Sequence, residues 1–294
     1  MIKQLSAVLS GLTLVGTLSA AQASNVVVGG KNFTEQQVIA SMTGQYLESL
    51  GYKVDTRAGM GSAVLRQAQE NGQIDLYWEY TGTSLITFNG ISERMTPEET
   101  YATVKELDAE KGLVWLAPSA ANNTYALAMR TGEAEERNIQ TLSDLAAAVN
   151  SGESLRFGLN AEFYARDDGW RPLLEAYEFQ VGRRDVSRMD SGLVYQALRD
   201  GQVNVGLVFA TDGRIPAFDF KVLEDDQDFF PSYALTPVVR QETLASFPTL
   251  EEQMNALSAL LDDEVMAALN ARVDVQRESV EAVAKTFLEE QGLL

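Results

Sequence analysis

The sequence predicts an α/β fold of two similar lobes with a ligand cleft between them. Three observations carry this reading. Short apolar strands alternate with amphipathic helices along most of the chain. The run Val64-Leu65-Arg66-Gln67-Ala68, followed by Gly72-Gln73-Ile74, returns as Leu193-Val194-Tyr195-Gln196-Ala197 and Gly201-Gln202-Val203, an offset of 129 residues throughout. The length, 294 residues, suits two lobes of about 100 residues or somewhat more. Two similar α/β lobes leave a cleft in which small ligands bind.

The elements follow in order. Val26 to Val28 reads as a buried strand, and Gly29 to Phe33 as the loop after it. Thr34 starts a helix, with Gln37 as a capping-box partner. Val38, Ile39, Met42, Tyr46 and Leu50 keep the helical period, and Gly51 ends it. Val54 to Arg57 is a strand. Ser62 caps a helix bearing Val64, Leu65 and Ala68, which Gly72 stops before a strand from Ile74 to Tyr80. Thr96-Pro97-Glu98-Glu99 is a helix start with proline in the first turn and acid at its third position. Strands are predicted over Thr124 to Met129, Leu155 to Leu159 and Val203 to Phe209, and helices over Gly169 to Tyr177 and Gly192 to Arg199. From Thr249 onward three helical segments follow. The alternation implies largely parallel sheets.

Composition removes several function classes. There is no cysteine and no histidine, so no disulfide framework, thiolate or imidazole metal site, or Ser-His-Asp triad is available. The formal charge of −19 argues against nucleic acid and against anionic lipid. No metal and no cofactor is expected. Residues 1–23 have the parts of a secretory leader: Lys3, an apolar run from Leu5 to Leu18, and the small-x-small site Ala21-Gln22-Ala23. A cysteine-free exported chain fits the Gram-negative periplasm, and the protein is expected to be a soluble monomer.

The candidate chemistry lies at strand ends, where ligands of open α/β sheets bind. Glu79-Tyr80-Thr81-Gly82-Thr83 ends one strand, and Phe209-Ala210-Thr211-Asp212 ends its counterpart in the repeat. Tyr80 and Phe209 would then face each other across the cleft; the plainer alternative is an aromatic packed in the core. Lys31, in a strand-to-helix loop, could meet an anion at a helix N-terminus or stay a solvated lysine. Arg166 could grip a carboxylate in two-pronged fashion, or pair with Asp167 or Asp168. Asp75 with Glu79, and Asp167 with Asp168, raise a paired-carboxylate hydrolase. Asp75 has the neutral counterpart Asn204, which weighs against it. The acidic run Glu224 to Asp228 lacks the glycine and ligand spacing of a calcium loop and reads as a solvated turn.

Four motifs together resemble a known family. They are Gly29-Gly30-Lys31-Asn32-Phe33-Thr34-Glu35-Gln36; Gly72-x-Ile74-Asp75-Leu76-Tyr77 with Glu79-Tyr80-Thr81-Gly82-Thr83; Asn122-Asn123-Thr124-Tyr125-Ala126-Leu127; and Thr211-Asp212-Gly213-Arg214-Ile215. In this order they resemble the periplasmic binding proteins of osmoprotectant ABC importers, and most of all the osmotically induced YehZ/OsmF-type branch. The resemblance implies a type II periplasmic-binding-protein fold. Lobe 1 would be 24–123 and 232–294 and lobe 2 would be 124–231, hinged near Asn123 and Pro231. It implies a quaternary-ammonium solute such as glycine betaine, choline or carnitine, and an ABC permease in the inner membrane as partner. The resemblance implies that Tyr80 and Tyr125, by position in the motifs, and Tyr233, after Pro231-Ser232 at the return crossing, are the cage tyrosines, and Phe209 stands where relatives often have tyrosine. Lys31, Thr83 and Arg166 match carboxylate-binding positions. A quaternary ammonium has no N–H to donate, so aromatic faces are its natural partners. Two rivals remain open: a carrier of another small cation or amino acid such as proline, and a carboxylate-using hydrolase on the same two lobes.

Overall fold

The computed structural model describes residues 25–294. The leader expected over 1–23 lies outside the described residues. The first half of the chain forms β1 (Val26–Lys31), α1 (Thr34–Ser49), β2 (Val54–Met60), α2 (Ser62–Glu70), β3 (Leu76–Tyr80), a π-helical turn (Thr83–Phe88), α3 (Pro97–Ala109), β4 (Leu113–Trp115), β5 (Tyr125–Arg130), α4 (Thr131–Arg137) and α5 (Leu142–Asn150). Then come β6 (Phe157–Leu159), α6 (Ala161–Ala165), α7 (Trp170–Ala176), β7 (Val186–Arg188), α8 (Ser191–Arg199), β8 (Val205–Phe209), α9 (Arg214–Ala217) and β9 (Phe220–Val222). The chain closes with β10 (Leu235–Arg240), α10 (Gln241–Ser246), α11 (Leu250–Ser258), α12 (Asp263–Asp274) and α13 (Val280–Glu290).

Two five-stranded sheets organise these elements, in the orders β2-β1-β3-β10-β4 and β7-β6-β8-β5-β9. The two orders are the same pattern. At the 129-residue offset α2 falls on α8, and β3 falls on β8, at both ends of each element. One place is exchanged. The fourth strand of the first sheet, β10, comes from after the second sheet, and the fourth strand of the second, β5, directly follows the first. The chain therefore crosses between lobes before Tyr125 and again between Val222 and Leu235.

The sheets are mixed, not largely parallel. β1 runs parallel to β2 and β3, but β10 runs antiparallel to β3 and β4. The second sheet repeats this, with β5 antiparallel to β8 and β9. A strand that arrives from the other lobe enters beside its neighbour's C-terminal end, so it runs the opposite way.

Several boundaries differ from the sequence reading. β1 continues through Gly29, Gly30 and Lys31, which had read as a loop. The glycines are there because α1 and α2 press on the strand. A Cβ on Gly29 would lie 2.6 Å from a Leu65 methyl, and one on Gly30 would lie 3.0 Å from Ala40. Thr34 makes no capping box: Phe33 is the N-cap residue, and the Thr34 hydroxyl donates to Asp274 at 2.9 Å. Gln36 secures the turn instead, accepting from Lys31 N and donating to the Trp78 carbonyl. Ser62 is the first helical residue rather than the cap, Val64 is exposed, and Leu50 lies at the exposed end of α1. The capping box at Thr96 and Glu99 forms as expected, with Pro97 in the first turn.

Val38, Ile39, Met42 and Leu47 of α1 are fully buried on the first sheet with Trp78. Truncating one such side chain to alanine costs about 2–5 kcal/mol. α12 and α13 pack beside α1, α11 packs on β10, and α12 also reaches α9 of the second lobe. There Gly213 sits so close to α12 that a Cβ would lie 2.4 Å from that of Ala271. No described helix is long and apolar enough to cross a membrane.

Candidate functional site

The C-terminal ends of β3 and β8 open into one cavity of about 740 Å³ between the lobes. Lys31, Tyr80, Thr83, Tyr125, Phe209 and Tyr233 all line it. Their convergence follows from the sheets. β3 and β8 are paired with β10 and β5, and the register sets Leu235 opposite Tyr80 and Tyr125 opposite Phe209. The two crossing segments thus bring Tyr125 and Tyr233 to the same mouth as the strand-end aromatics.

The rings pack on one another. Tyr125 lies 5.3 Å from Phe209 and meets Tyr233 edge-on at 5.5 Å. Tyr80 and Phe209 do not face each other directly, because Phe33 stands between them. It stacks on Phe209 at 5.1 Å and 9° and on Tyr80 at 6.2 Å. The sequence places Phe33 in a loop and in a motif, without a role at the cleft. Its place at the N-cap of α1, directly after a strand that ends at the cleft, is the signal that could have found it.

Two of these tyrosines are anchored through their hydroxyls. Tyr80 donates to Glu35 at 2.7 Å, and Tyr233 donates to Asp168 at 2.6 Å. Burial, reinforced by these carboxylates, pushes both phenols well above their ordinary pKa, so both are donors. Gly82 sets the Tyr233 ring, since a Cβ there would stand 2.9 Å from it.

The cations are engaged within the protein. A register shift between Gly29 and Lys31 turns the Lys31 side chain inward. There its ammonium meets Glu79 at 2.5 Å and lies 4.9 Å from the Tyr80 ring centre. Arg166 does not line the cavity. It stands behind Tyr125, 5.4 Å from the ring centre, and forks onto Asp168 at 2.6 and 2.5 Å. Its remaining contacts are Glu162 at 3.2 Å and Thr83 at 3.4 Å. The helix break that makes this possible needs Gly169, where a Cβ would collide with the Phe163 carbonyl at 1.9 Å.

Asp75 does not line the cavity. It accepts from Val27 N and from Thr243, and Asn204 accepts from Arg156 N at the equivalent place in the other lobe. Asp225 in the acidic run accepts from Phe229 N, Phe230 N and the Tyr177 hydroxyl, which shapes that turn. Among the described residues no group of three or more carboxylates is placed to hold a metal ion.

Polar contacts span the cleft. Ser62 donates to Glu162 at 2.7 Å, Arg166 reaches Thr83, Tyr233 holds Asp168, and Thr211 donates to Glu35. Burial raises the Glu162 carboxyl, but Lys31, Ser62 and Arg166 overcome it and hold the pKa below the usual range. Glu35 is the opposite case: burial raises it, and hydrogen bonds from Thr211, Tyr80, Asn270 and Asn123 offset that only in part. The lining carries three cations, Lys31, Arg188 and Arg214, against five carboxylates, Glu35, Glu162, Asp190, Asp212 and Asp274. That excess favours a cationic guest.

Fold and cleft define a two-lobed solute-binding protein. Residues 24–290 match the substrate-binding domain of ABC-type glycine betaine transport systems, OpuAC, and the chain belongs to that family. It is 43% identical to the glycine-betaine-binding protein of Pseudomonas aeruginosa PAO1 over 100% of this chain and 96% of that one. Among solved structures, apo YehZ from Escherichia coli matches with a TM-score of 0.68 at 31% identity, covering 92% of this chain and 100% of that one. A glycine betaine/carnitine/choline ABC transporter structure matches at TM-score 0.74 and 28% identity, over 92% and 99% of the two chains.

Proposed function

We propose that this protein captures a quaternary-ammonium osmoprotectant, glycine betaine first among them, in the periplasm and hands it to an ABC permease. The observation that carries the reading is the convergence of Tyr80, Tyr125, Phe209 and Tyr233 on one cavity with an acidic lining. Ring faces hold a trimethylammonium at about 0.5–2 kcal/mol each. The 43% identical glycine-betaine-binding relative supports the choice of solute. Phe33 belongs with these rings. Stacked at 5.1 Å it leaves no gap for a trimethylammonium between itself and Phe209, so a cation bound between those rings requires Phe33 to turn.

The lobes would be 24–123 with 232–294, and 124–231, closing about Asn123 and Pro231. Closure selects the form that docks on the permease. The protein is a carrier and not an enzyme. Asp75 is held by backbone and Thr243, and Glu79 by Lys31, which supports that reading over a hydrolase. Lys31 and Thr83 are the groups in reach of a ligand carboxylate.

A choline-like solute without a carboxylate is the second reading. It is favoured by the engagement of Lys31 with Glu79 and of Arg166 with Asp168. Calorimetric titration with glycine betaine, choline, carnitine, proline betaine and proline decides. Heat from betaines and none from proline is expected. Silence from every quaternary amine in a folded protein overturns the proposal, and tighter binding of choline than of any betaine selects the second reading.

A further inference from the structure

Five carboxylates are buried among the described residues: Glu35, Glu79, Asp108, Asp168 and Asp212. Four have a protein cation against them. Glu79 pairs with Lys31, Asp108 with Arg66, Asp168 with Arg166 and Asp212 with Arg214. Of these five, Glu35 alone forms no ion pair with the described residues. A buried carboxylate with no counter-charge is costly to ionise, so it either takes up a proton or draws a positive charge from elsewhere, here a ligand in the cavity.

Glu35 is also the buried carboxylate most built into the cleft. It lines the cavity and is 2% exposed. Its oxygens accept from Tyr80 on β3, Asn123 in the first crossing, Thr211 beyond β8 and Asn270 on α12. These donors are neutral, so they orient the carboxylate without cancelling its charge. The Tyr80 hydroxyl lies between Glu35 and a cage ring. Its hydrogen bond to the carboxylate draws the proton toward Glu35 and leaves the ring face richer in electrons, which strengthens its hold on a cation.

We propose that Glu35 is the counter-charge of the ligand's ammonium, a specificity-determining residue that makes the cleft select a cation over a neutral molecule of the same shape. This rests on the reading of the cleft as a quaternary-ammonium site. The aromatic cage reads the shape and polarisability of the trimethyl head, and Glu35 reads its charge. Three of these donors, Tyr80, Asn123 and Asn270, belong to the lobe that carries Glu35, and Thr211 reaches it from the other.

The experiment uses pairs that differ only at one atom. Glycine betaine is set against 3,3-dimethylbutanoate, and choline against 3,3-dimethylbutan-1-ol; each isostere has carbon in place of nitrogen. Affinities of the purified protein are measured by calorimetry, with thermal melting to report folding. In Glu35→Gln the preference for cation over isostere falls by about tenfold or more, while the isostere itself changes by no more than about twofold. Should Glu35→Gln not fold, Glu35→Asp withdraws the charge by one methylene and lowers the same ratio. A folded Glu35→Gln, or in its place Glu35→Asp, that keeps the wild-type preference overturns the role of Glu35 and leaves the cage reading standing. A wild-type protein that binds no quaternary amine, or binds cation and isostere alike, overturns both.

Discussion

The two lobes share one sheet order and one helix-turn-strand unit, and differ where the first helix meets the cleft. In the first lobe α1 runs unbroken for 16 residues from Thr34. In the second the corresponding stretch breaks into α6 and α7, and Arg166, Asp168 and Gly169 occupy the break. Gln37, which lies 129 residues before Arg166, stays inside its helix. The unbroken helix carries a carboxylate, Glu35, into the cleft with no cation of its own. The broken one carries a guanidinium and its carboxylate together. A repeated scaffold thus places its charges differently in each half, and the net result at the cleft is negative.

The largest expected effect tests the broken helix. Asp168→Ala leaves Arg166 buried without its forked partner and Tyr233 without its acceptor. Unfolding free energy by denaturant should drop by about 3–5 kcal/mol. Gln37→Ala, at the place in the first lobe that matches Arg166, should cost under about 1 kcal/mol. Equal costs would mean that the break is not held by the ion pair.

The strand-end aromatics come next. Tyr80→Ala and Tyr125→Ala should each weaken glycine betaine binding by about tenfold or more, in titrations run well below the melting temperature. Phe209→Tyr should change it by less than about threefold, since the ring face is already present.

Legibility differed between the lobes for a physical reason. The repeat was readable because helix, turn and strand signals are local, and they kept their spacing across the whole unit. Tyr80 and Phe209 followed from it as strand ends. Strand direction was not readable, because it depends on where the chain crosses between lobes. Glu35 looked like an ordinary acid in a first helical turn. Its burial depends on donors 45, 88, 176 and 235 residues away. Arg166 could be read two ways because Asp168 is only two residues on, and the turn that joins them rests on a contact between Gly169 and the Phe163 carbonyl.

Acid and base separate the buried carboxylates. Glu35 has a raised folded pKa, chiefly from burial, so the native state binds more protons than the unfolded one between the ordinary carboxylate value and that raised value. Stability of the ligand-free protein should therefore fall as pH rises through that window, and Glu35→Gln should flatten the slope. Asp108 has the opposite sign. Burial would raise it, but Arg66 holds it far below the usual range, so its contribution is present above the ordinary value and lost as pH falls. Melting curves across pH report both slopes.

The smallest effects come from a feature the lobes share. Each has a capping box, Thr96 with Glu99 before α3 and Thr141 with Asp144 before α5. Thr96→Ala and Thr141→Ala should each cost about 1 kcal/mol of stability and leave ligand affinity unchanged. A change in affinity from either would show that the helices away from the cleft take part in recognition.

The most direct measurement is a crystal structure of the protein with glycine betaine bound. The account predicts the quaternary nitrogen within about 6 Å of the centres of at least three of the rings of Tyr80, Tyr125, Phe209 and Tyr233, with Phe33 turned from its stack on Phe209. A solute seated instead in the half of the cavity lined by Arg188 and Asp190, with the ring stack undisturbed, would contradict it.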